Sequence, residues 1–328
     1  MTLTNSIAVV VIGRNEGKRL IACLESLKLN LSNIVYVDSA STDDSVNSAK
    51  TLGAIVVSLD ITKPFTAARA RNAGAKQAEI SFPNSEFLQF IDGDCELASN
   101  WLQAASHFLK VNNDVAIVCG RRREKYPIAS IYNTLCDMEW DTPIGAAKAC
   151  GGDALMRKSV FSYLGGFRES LIAGEEPELC VRVRKAGYKI WRLDTEMTLH
   201  DVNIMSFKKW WLRTMRGGYA FAEGACIHGA APELHWVQES RRAWLWGFII
   251  PLIILILAFL QPNWAIFLLL IYPLQWLRLS LKTKLPFNKA STHAFFLIIG
   301  KFAEATGQIK FLFNRYANKS AKIIEYRQ

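Results

Sequence analysis

Hydrophobic and polar positions alternate along the first 120 residues in blocks of two kinds. Ile7–Ile12 is a continuous apolar run, the pattern of a strand buried on both faces of a parallel sheet. Over residues 17–29, Leu20, Ile21, Leu24 and Leu27 recur at helical spacing. Ile34–Val37 predicts the next strand, and Thr42-Asp43-Asp44-Ser45 is the polar start of a helix after it. Ala54–Leu59 predicts a third strand, Ala67–Ala78 a helix and Phe87–Ile91 a fourth strand. Strand and helix alternating at this spacing predict an open α/β sheet. In such sheets function collects at the carboxyl ends of the strands.

Three of those ends carry polar clusters: Gly13-Arg14-Asn15-Glu16-Gly17, Asp38-Ser39-Ala40-Ser41-Thr42-Asp43, and Asp92-Gly93-Asp94. Gly13 and Gly17 do not form G-x-G-x-x-G, and no G-x-x-x-x-G-K-[ST] occurs. Nicotinamide dehydrogenases and P-loop enzymes are therefore not indicated. Asp92-Gly93-Asp94 sets two carboxylates around a flexible Gly just after a hydrophobic strand. Hard cations such as Mg²⁺ or Mn²⁺ prefer carboxylate and phosphate oxygens, so this loop can hold a metal against a diphosphate. Asp-Gly is also an ordinary turn.

A different pattern governs the C-terminal third. Ala243–Leu277 is 35 residues without Asp, Glu, Lys, Arg or His. A single span takes roughly 20 residues, so the run predicts a helical membrane hairpin over 243–281, broken at Gln261-Pro262-Asn263. Its limbs are Ala243–Leu260 and Trp264–Leu281, the second with Arg278 snorkelling to the interface. Charge sharpens the picture. The net +10 resides entirely in residues 241–328, which hold 12 Lys/Arg against Glu304 and Glu325, leaving 27 of each sign before them. Arg241 and Arg242 precede the hairpin, Lys282, Lys284 and Lys289 follow it, and the tip is uncharged. By the positive-inside rule both ends face the cytoplasm. Seven of the ten Trp lie between Trp210 and Trp276, as interfacial anchors would. A buried soluble helical pair is the alternative. Residues 206–242 predict an amphipathic interface segment. In 290–328, Phe295, Ile298, Ile299, Phe302, Ile309, Phe313 and Tyr316 form an apolar stripe with basic neighbours, an interfacial pattern that also allows a third crossing. Met1–Ser6 is short and uncharged, so no secretory leader is expected. The seven Cys include no Cys-x-x-Cys pair, which fits reduced thiols in a cytosolic domain.

The ordered series Ile7–Ile12, Asn15-Glu16, Val37-Asp38 with Ser41-Thr42-Asp43, Ala70-Arg71-Asn72 with Gly74, and Asp92-Gly93-Asp94 resembles glycosyltransferase family 2. The resemblance continues through Gly151-Gly152, Arg157, Gly165-Gly166-Phe167, Gly174-Glu175-Glu176-Pro177-Glu178-Leu179, Arg182 and Gly187, over residues 5–200. It implies a GT-A fold, a Rossmann-like, mixed and mostly parallel sheet with helices on both faces. It also implies an inverting transfer of sugar from a nucleotide diphosphate with Mg²⁺ or Mn²⁺. Carried over residue by residue, Asn15 and Glu16 border the donor, and Asp38 hydrogen-bonds its nucleobase or ribose. Arg71 contacts the nucleotide, with Asn72 and Gly74 shaping that helix start. Asp92 faces the ribose and the metal, and Asp94 is the direct metal ligand. Glu176 stands where the family usually has the catalytic Asp of a Glu-Asp pair. It is implied to be the general base, with Glu175 beside it. Glu is one methylene longer than Asp, a departure that bears on the position of the base.

The residues themselves allow plainer roles. Acids in Gly174-Glu175-Glu176 are favoured at a helix start by the dipole alone. His200 matches a position where related enzymes often add a metal or diphosphate contact, but a lone His is as readily core-bonded. Arg213 and Arg216 fit either a clamp on the donor diphosphate or a basic helix at the membrane surface. Arg121-Arg122-Arg123 reads as a solvated face or a contact for an anionic acceptor. It lacks the aromatic interleaving of a nucleic-acid site, so no nucleic-acid partner is expected.

The expected protein is a membrane-attached glycosyltransferase of polysaccharide biosynthesis. Its GT-A domain spans 1–205, with a nucleotide-binding half over 1–100 and an acceptor half over 101–205, and faces the cytoplasm at the cell membrane. Its expected partners are a nucleotide-sugar donor, a lipid-linked or oligosaccharide acceptor, and membrane lipids. Two rivals are a nucleotidyltransferase of sugar phosphates, which would want a Gly-rich, Lys-bearing first loop, and an inactive membrane scaffold that retains the fold.

Overall fold

The first apolar run forms β1 (Ile7–Gly13), whose residues are buried through Ile12. It lies within a computed structural model that describes residues 6–28, 32–317 and 324–325. The chain divides into two compact units, Met1–Met205 and Ser206–Gln328.

In the first unit β1 pairs in parallel with β2 (Ile34–Asp38) and β4 (Phe87–Asp92), and β2 with β3 (Ile55–Ser58). Helix α1 (Lys18–Lys28) buries Leu20, Cys23, Leu24 and Leu27, the stripe expected from their spacing. Leu29, at the end of that expected helix, lies outside the described residues. Helix α2 (Ser45–Thr51) follows β2, and α3 (Ala67–Ser81) follows β3. Beyond β4 come β5 (Cys95–Leu97), α4 (Trp101–Val111), β6 (Val115–Glu124), α5 (Ile131–Glu139), β7 (Gly145–Ala147), β8 (Ala154–Arg157), α6 (Lys158–Tyr163), α7 (Glu175–Lys185) and β9 (Lys189–His200). The sheet runs β3-β2-β1-β4-β8-β6-β9-β5, with β7 on β9. It is mixed: β6 and β9 are parallel, while β8 runs antiparallel to both β4 and β6.

Two details of this ladder matter for function. The sequence pattern ended the second and fourth strands before their acids, but β2 includes Asp38 and β4 includes Asp92. Pairing with β1 extends them: Gly13 sits opposite Asp38, and Ile12 opposite Asp92. The two carboxylates are thus fixed by ladder hydrogen bonds at one end of the sheet, not carried on loose loops. The antiparallel register of β5 with β9 then sets Cys95 opposite His200.

One expectation is corrected. Asn72 and Gly74 do not shape the start of their helix, because α3 begins earlier, capped by Thr66 accepting from the Arg69 N–H at 3.1 Å. Asn72 instead bonds the Phe167 backbone in both directions, at 2.9 and 2.8 Å. Gly74 lets α3 lie flat on the sheet: a Cβ there would overlap Val10 and come within 2.9 Å of Val37.

The second unit is helical: α8 (Phe207–His228), α9 (Val237–Leu260), α10 (Pro262–Lys282) and α11 (Phe287–Tyr316). The break between α9 and α10 falls at Gln261, in the expected turn. Among the described residues, α9 and α10 are the helices long and apolar enough to cross a membrane, and only 11% of the most apolar stretch of each is buried. Phe259, Trp264, Ile266 and Phe267 are exposed, where a buried soluble pair would hide them. Helix α11 packs along α8 through Tyr219 on Phe311 and Trp210 on Phe296. Of its expected stripe, Phe295, Ile309, Phe313 and Tyr316 remain exposed. Apart from Ile324 and Glu325, the tail beyond Ala317 lies outside the described residues.

Candidate active site

The carboxyl ends of β1, β2 and β4 gather the first set of expected residues. Asp38 is buried, accepting from the Tyr36 hydroxyl at 3.2 Å and the Ser41 N–H at 3.0 Å. Beside it the buried Ser39 hydroxyl has no hydrogen-bond partner among the described residues. Asn15 adopts a left-handed backbone and accepts from the Thr42 N–H at 2.7 Å, so its side chain pins the loop after β2. Glu16 is buried and 2.7 Å from Arg19, whose other nitrogen reaches the Asp201 carbonyl. Both therefore border the site while their side chains brace its loops.

Arg71 is the hub. It is 3% exposed, deep in α3. Its Nη1 lies 2.8 Å from both Glu175 Oε1 and Glu176 Oε1, and its Nη2 lies 2.8 Å from Asp92 Oδ1. Among the described residues Nε has no hydrogen-bond partner, and the guanidinium lies over the Phe167 ring. Burial opposes its charge, but Glu176, Asp92 and Glu175 more than offset that and raise its pKa. One guanidinium thus joins Asp92 to the acidic pair opening α7. Gly152 passes beneath this junction. A Cβ on it would overlap Arg71 Nη2 and come 3.1 Å from Glu176 Oε1.

Glu175 and Glu176 occupy the first turn of α7, with Pro177 behind them, where a missing N–H costs nothing. Burial first, and then repulsion from Glu175, push the Glu176 carboxyl up to about 7, while Arg71 pulls it down. A carboxyl near neutrality is suited to taking a proton at physiological pH.

The metal candidates meet on the other side of Asp92. Asp94 Oδ2 lies 3.1 Å from His200 Nε2, both buried, because β5 and β9 pair in that register. Asp94, Cys95 and His200 offer ligand atoms within 4.8 Å of one another, as do Asp92, Cys95 and Asp153. A carboxylate with an imidazole suits Mn²⁺ or Mg²⁺ better than a thiol does. Burial and the surrounding carboxylates hold the Cys95 thiol protonated. The donor set therefore fits a divalent cation on Asp94 and His200.

Several residues here escaped the sequence reading. In sequence, Arg122 and its neighbours read as a solvated face or an acceptor contact. Strand alternation instead turns it into the site, 3.1 Å from Asp92 Oδ2 and 3.0 Å from Asp153 Oδ2. Trp140 packs against both the Arg122 guanidinium and His200. Buried Asp153 accepts from the Asp92 N–H and the Thr198 hydroxyl. Arg121 and Arg123, on the opposite face, help line a cavity of about 520 Å³ with Asp141, Arg192 and Glu196. Period-two alternation along β6 was the usable signal for Arg122; nothing local marked Trp140. Arg213 and Arg216 lie on α8 of the second unit.

The family model of glycosyl transferase family 2 matches residues 8–164. An uncharacterized glycosyltransferase of Rickettsia conorii is 34% identical over 226 residues, covering 60% of this chain and 77% of that protein. The chain belongs to glycosyl transferase family 2. Within the family it is similar to the O-antigen chain rhamnosyltransferase WbaN of Salmonella anatum, 29% identical over 175 residues. That match covers 48% of this glycosyltransferase and 53% of WbaN, so the chain spans about half the length of this relative. Among solved structures, the mannosyltransferase PcManGT from Pyrobaculum calidifontis, in complex with GDP-Man and Mn²⁺, superposes with a TM-score of 0.59. It is 19% identical, and the overlap covers 94% of this chain and 88% of that one. At that identity the likeness establishes the shared GT-A fold. The family match ends before Glu175, Glu176 and His200, whose roles rest on geometry.

Proposed function

We propose that this glycosyltransferase moves a sugar, with inversion, from a nucleotide-diphosphate donor to a lipid-linked or growing saccharide at the cytosolic face of a membrane. The observation that carries the reading is the shared guanidinium of Arg71, which ties Asp92 to Glu176 through contacts of 2.8 Å. A single displacement needs a base opposite the leaving group, and one carboxylate suffices to remove the proton. Glu176 takes the proton of the acceptor hydroxyl as its oxygen closes on the anomeric carbon and the diphosphate departs. Asp38 and Arg71 hold the nucleotide, bordered by Asn15 and Glu16, and Glu175 keeps Arg71 in place. Asp94 and His200, with Asp92 adjacent, would hold Mg²⁺ or Mn²⁺, as the Mn²⁺ complex of PcManGT supports. When bound, the cation neutralises charge gathering on the leaving diphosphate.

The membrane half of the reading rests on α9 and α10, whose exposed apolar faces want a non-aqueous partner. Arg241 and Arg242 precede the hairpin and Lys282, Lys284 and Lys289 follow it, which by the positive-inside rule supports a cytoplasmic location for both ends. Arg213 and Arg216 lie on the basic helix α8 of the same unit, where a membrane-surface role suits them. The similarity to the O-antigen chain rhamnosyltransferase WbaN favours a polysaccharide acceptor.

The test is transfer from radiolabelled UDP-, GDP- and dTDP-sugars in membranes containing the full chain. Label should enter an organic-extractable product, stop with EDTA and resume with Mn²⁺. Release of a nucleotidylated sugar in place of a glycosylated lipid would point to the nucleotidyltransferase chemistry instead. No turnover with any donor would leave only a scaffold.

A further inference from the structure

Asp153 is 1% exposed, directly before β8, and no motif singled it out. Its Oδ1 accepts the Asp92 N–H at 3.2 Å. Its Oδ2 accepts the Thr198 hydroxyl of β9 at 2.7 Å and lies 3.0 Å from Arg122 Nε of β6. The Arg122 contact is an ion pair whose N–H points off the hydrogen-bond line. One carboxylate therefore joins the ends of three strands around Asp92. Arg122 continues the chain of contacts: its Nη2 is 3.1 Å from Asp92 Oδ2 and 3.4 Å from Cys95 Sγ. With Arg71 on Oδ1, both oxygens of Asp92 meet a guanidinium.

A buried ion pair is poor value as a stabiliser, since desolvation cancels much of the attraction and apolar residues would serve as well. Its position suggests another use. The Cys95 sulfur lies within 4.8 Å of ligand atoms in both acidic groups, those of Asp94 and His200 and those of Asp92 and Asp153. The charges of Asp153 and Arg122 therefore fall within the unscreened field of the cation position. We propose that Asp153 and Arg122 are positioning residues of the donor site, which fix the Asp92 carboxylate and set, with opposite signs, how tightly the site holds a divalent cation. Asp153 adds negative charge and restrains Arg122; Arg122 caps Asp92 and limits the attraction. This rests on the proposed divalent cation at Asp94 and His200.

The test uses the full-length protein in detergent, titrated with Mn²⁺ alone and with UDP or GDP, reading free Mn²⁺ by electron paramagnetic resonance. Asp153→Asn keeps the shape and removes the charge, and should weaken Mn²⁺ binding by roughly 10- to 100-fold, the range for residues supporting metal ligands. Arg122→Gln should tighten it, by roughly tenfold. The double variant should return to within about threefold of wild type, since the two effects oppose. A purely structural pair would lower thermal stability in both variants without moving Mn²⁺ affinity in opposite directions. Shifts of the same sign, or none, overturn the proposal. If Asp153→Asn does not fold, Arg122→Gln decides alone: tighter binding supports the assignment, and unchanged or weaker binding refutes it. If the wild-type protein takes up no Mn²⁺ with either nucleotide, the cation reading itself fails, and this proposal with it.

Discussion

Gly151 and Gly152 are neighbours in sequence, yet a methyl group on each should have opposite consequences. At Gly152 the added carbon would overlap Arg71 Nη2, lie 3.3 Å from Arg71 Cζ and lie 3.1 Å from Glu176 Oε1. An overlap with the tip of a long side chain is ordinarily cheap. This tip is not free to move, because Glu175, Glu176 and Asp92 each hold it at 2.8 Å. Nor can the main chain retreat easily, since Asp153 is bonded to Asp92 and Thr198. Reaching ordinary contact takes a shift of roughly 1 Å, enough to break at least one of those ion pairs. A 1 Å misplacement of catalytic groups costs about 10²-fold in rate, so Gly152→Ala should lower kcat by about that factor. Arg71 also restrains the Glu176 carboxyl from rising further. Its displacement should therefore move the acid limb of the pH–rate profile to higher pH. At Gly151 the same carbon meets only Arg122 Nη1, at 3.9 Å, an ordinary contact. Gly151→Ala should stay near wild type. The assay is kcat and KM against pH for both variants, with melting temperatures as a folding control. A Gly152→Ala enzyme within about threefold of wild type, with an unmoved acid limb, would refute the claim that Arg71 positions the base.

Four further outcomes are expected. Glu176→Gln should cut turnover by roughly 10²–10⁴ with donor affinity nearly unchanged; loss of donor binding in isothermal titration would contradict a base that acts on the acceptor. The wild-type kcat/KM should rise with pH through an acid limb near 7, because the base must be ionised and its carboxyl is pushed up to about 7; a limb near 4.5 would show an unperturbed carboxylate or a different base. Asp94→Asn should abolish metal-dependent transfer in a protein of normal melting temperature, and alkaline carbonate should leave the full chain in the membrane pellet, whereas release into solution would defeat the hairpin.

How far residues alone disclose this enzyme depends on the range of the interaction that places each group. Periodicity is local, so β1 and α1 were legible to within one residue, and the hairpin at its turn and its end, although α9 begins at Val237, six residues before the expected limb. Asp38 and Asp92 were legible at the carboxyl ends of the strands but not as strand residues, because the last rung of a ladder is decided by the partner strand. His200 lies 106 positions from Asp94, and only the β5–β9 register brings the pair to 3.1 Å. Asp153 and Trp140 carry no motif and act through side chains from other strands, which no spacing rule reaches. Arg122 is the instructive case. Three consecutive arginines look like solvated charge when counted, but a strand sends alternate side chains to opposite faces. The middle one reaches Asp92 and Asp153 while its neighbours turn away. The positions hardest to read are those that couple Asp92 to its surroundings. The Asp92 carboxylate is half-buried between two guanidiniums, Arg71 from α3 and Arg122 from β6, and no local pattern shows charges supplied from several elements at once.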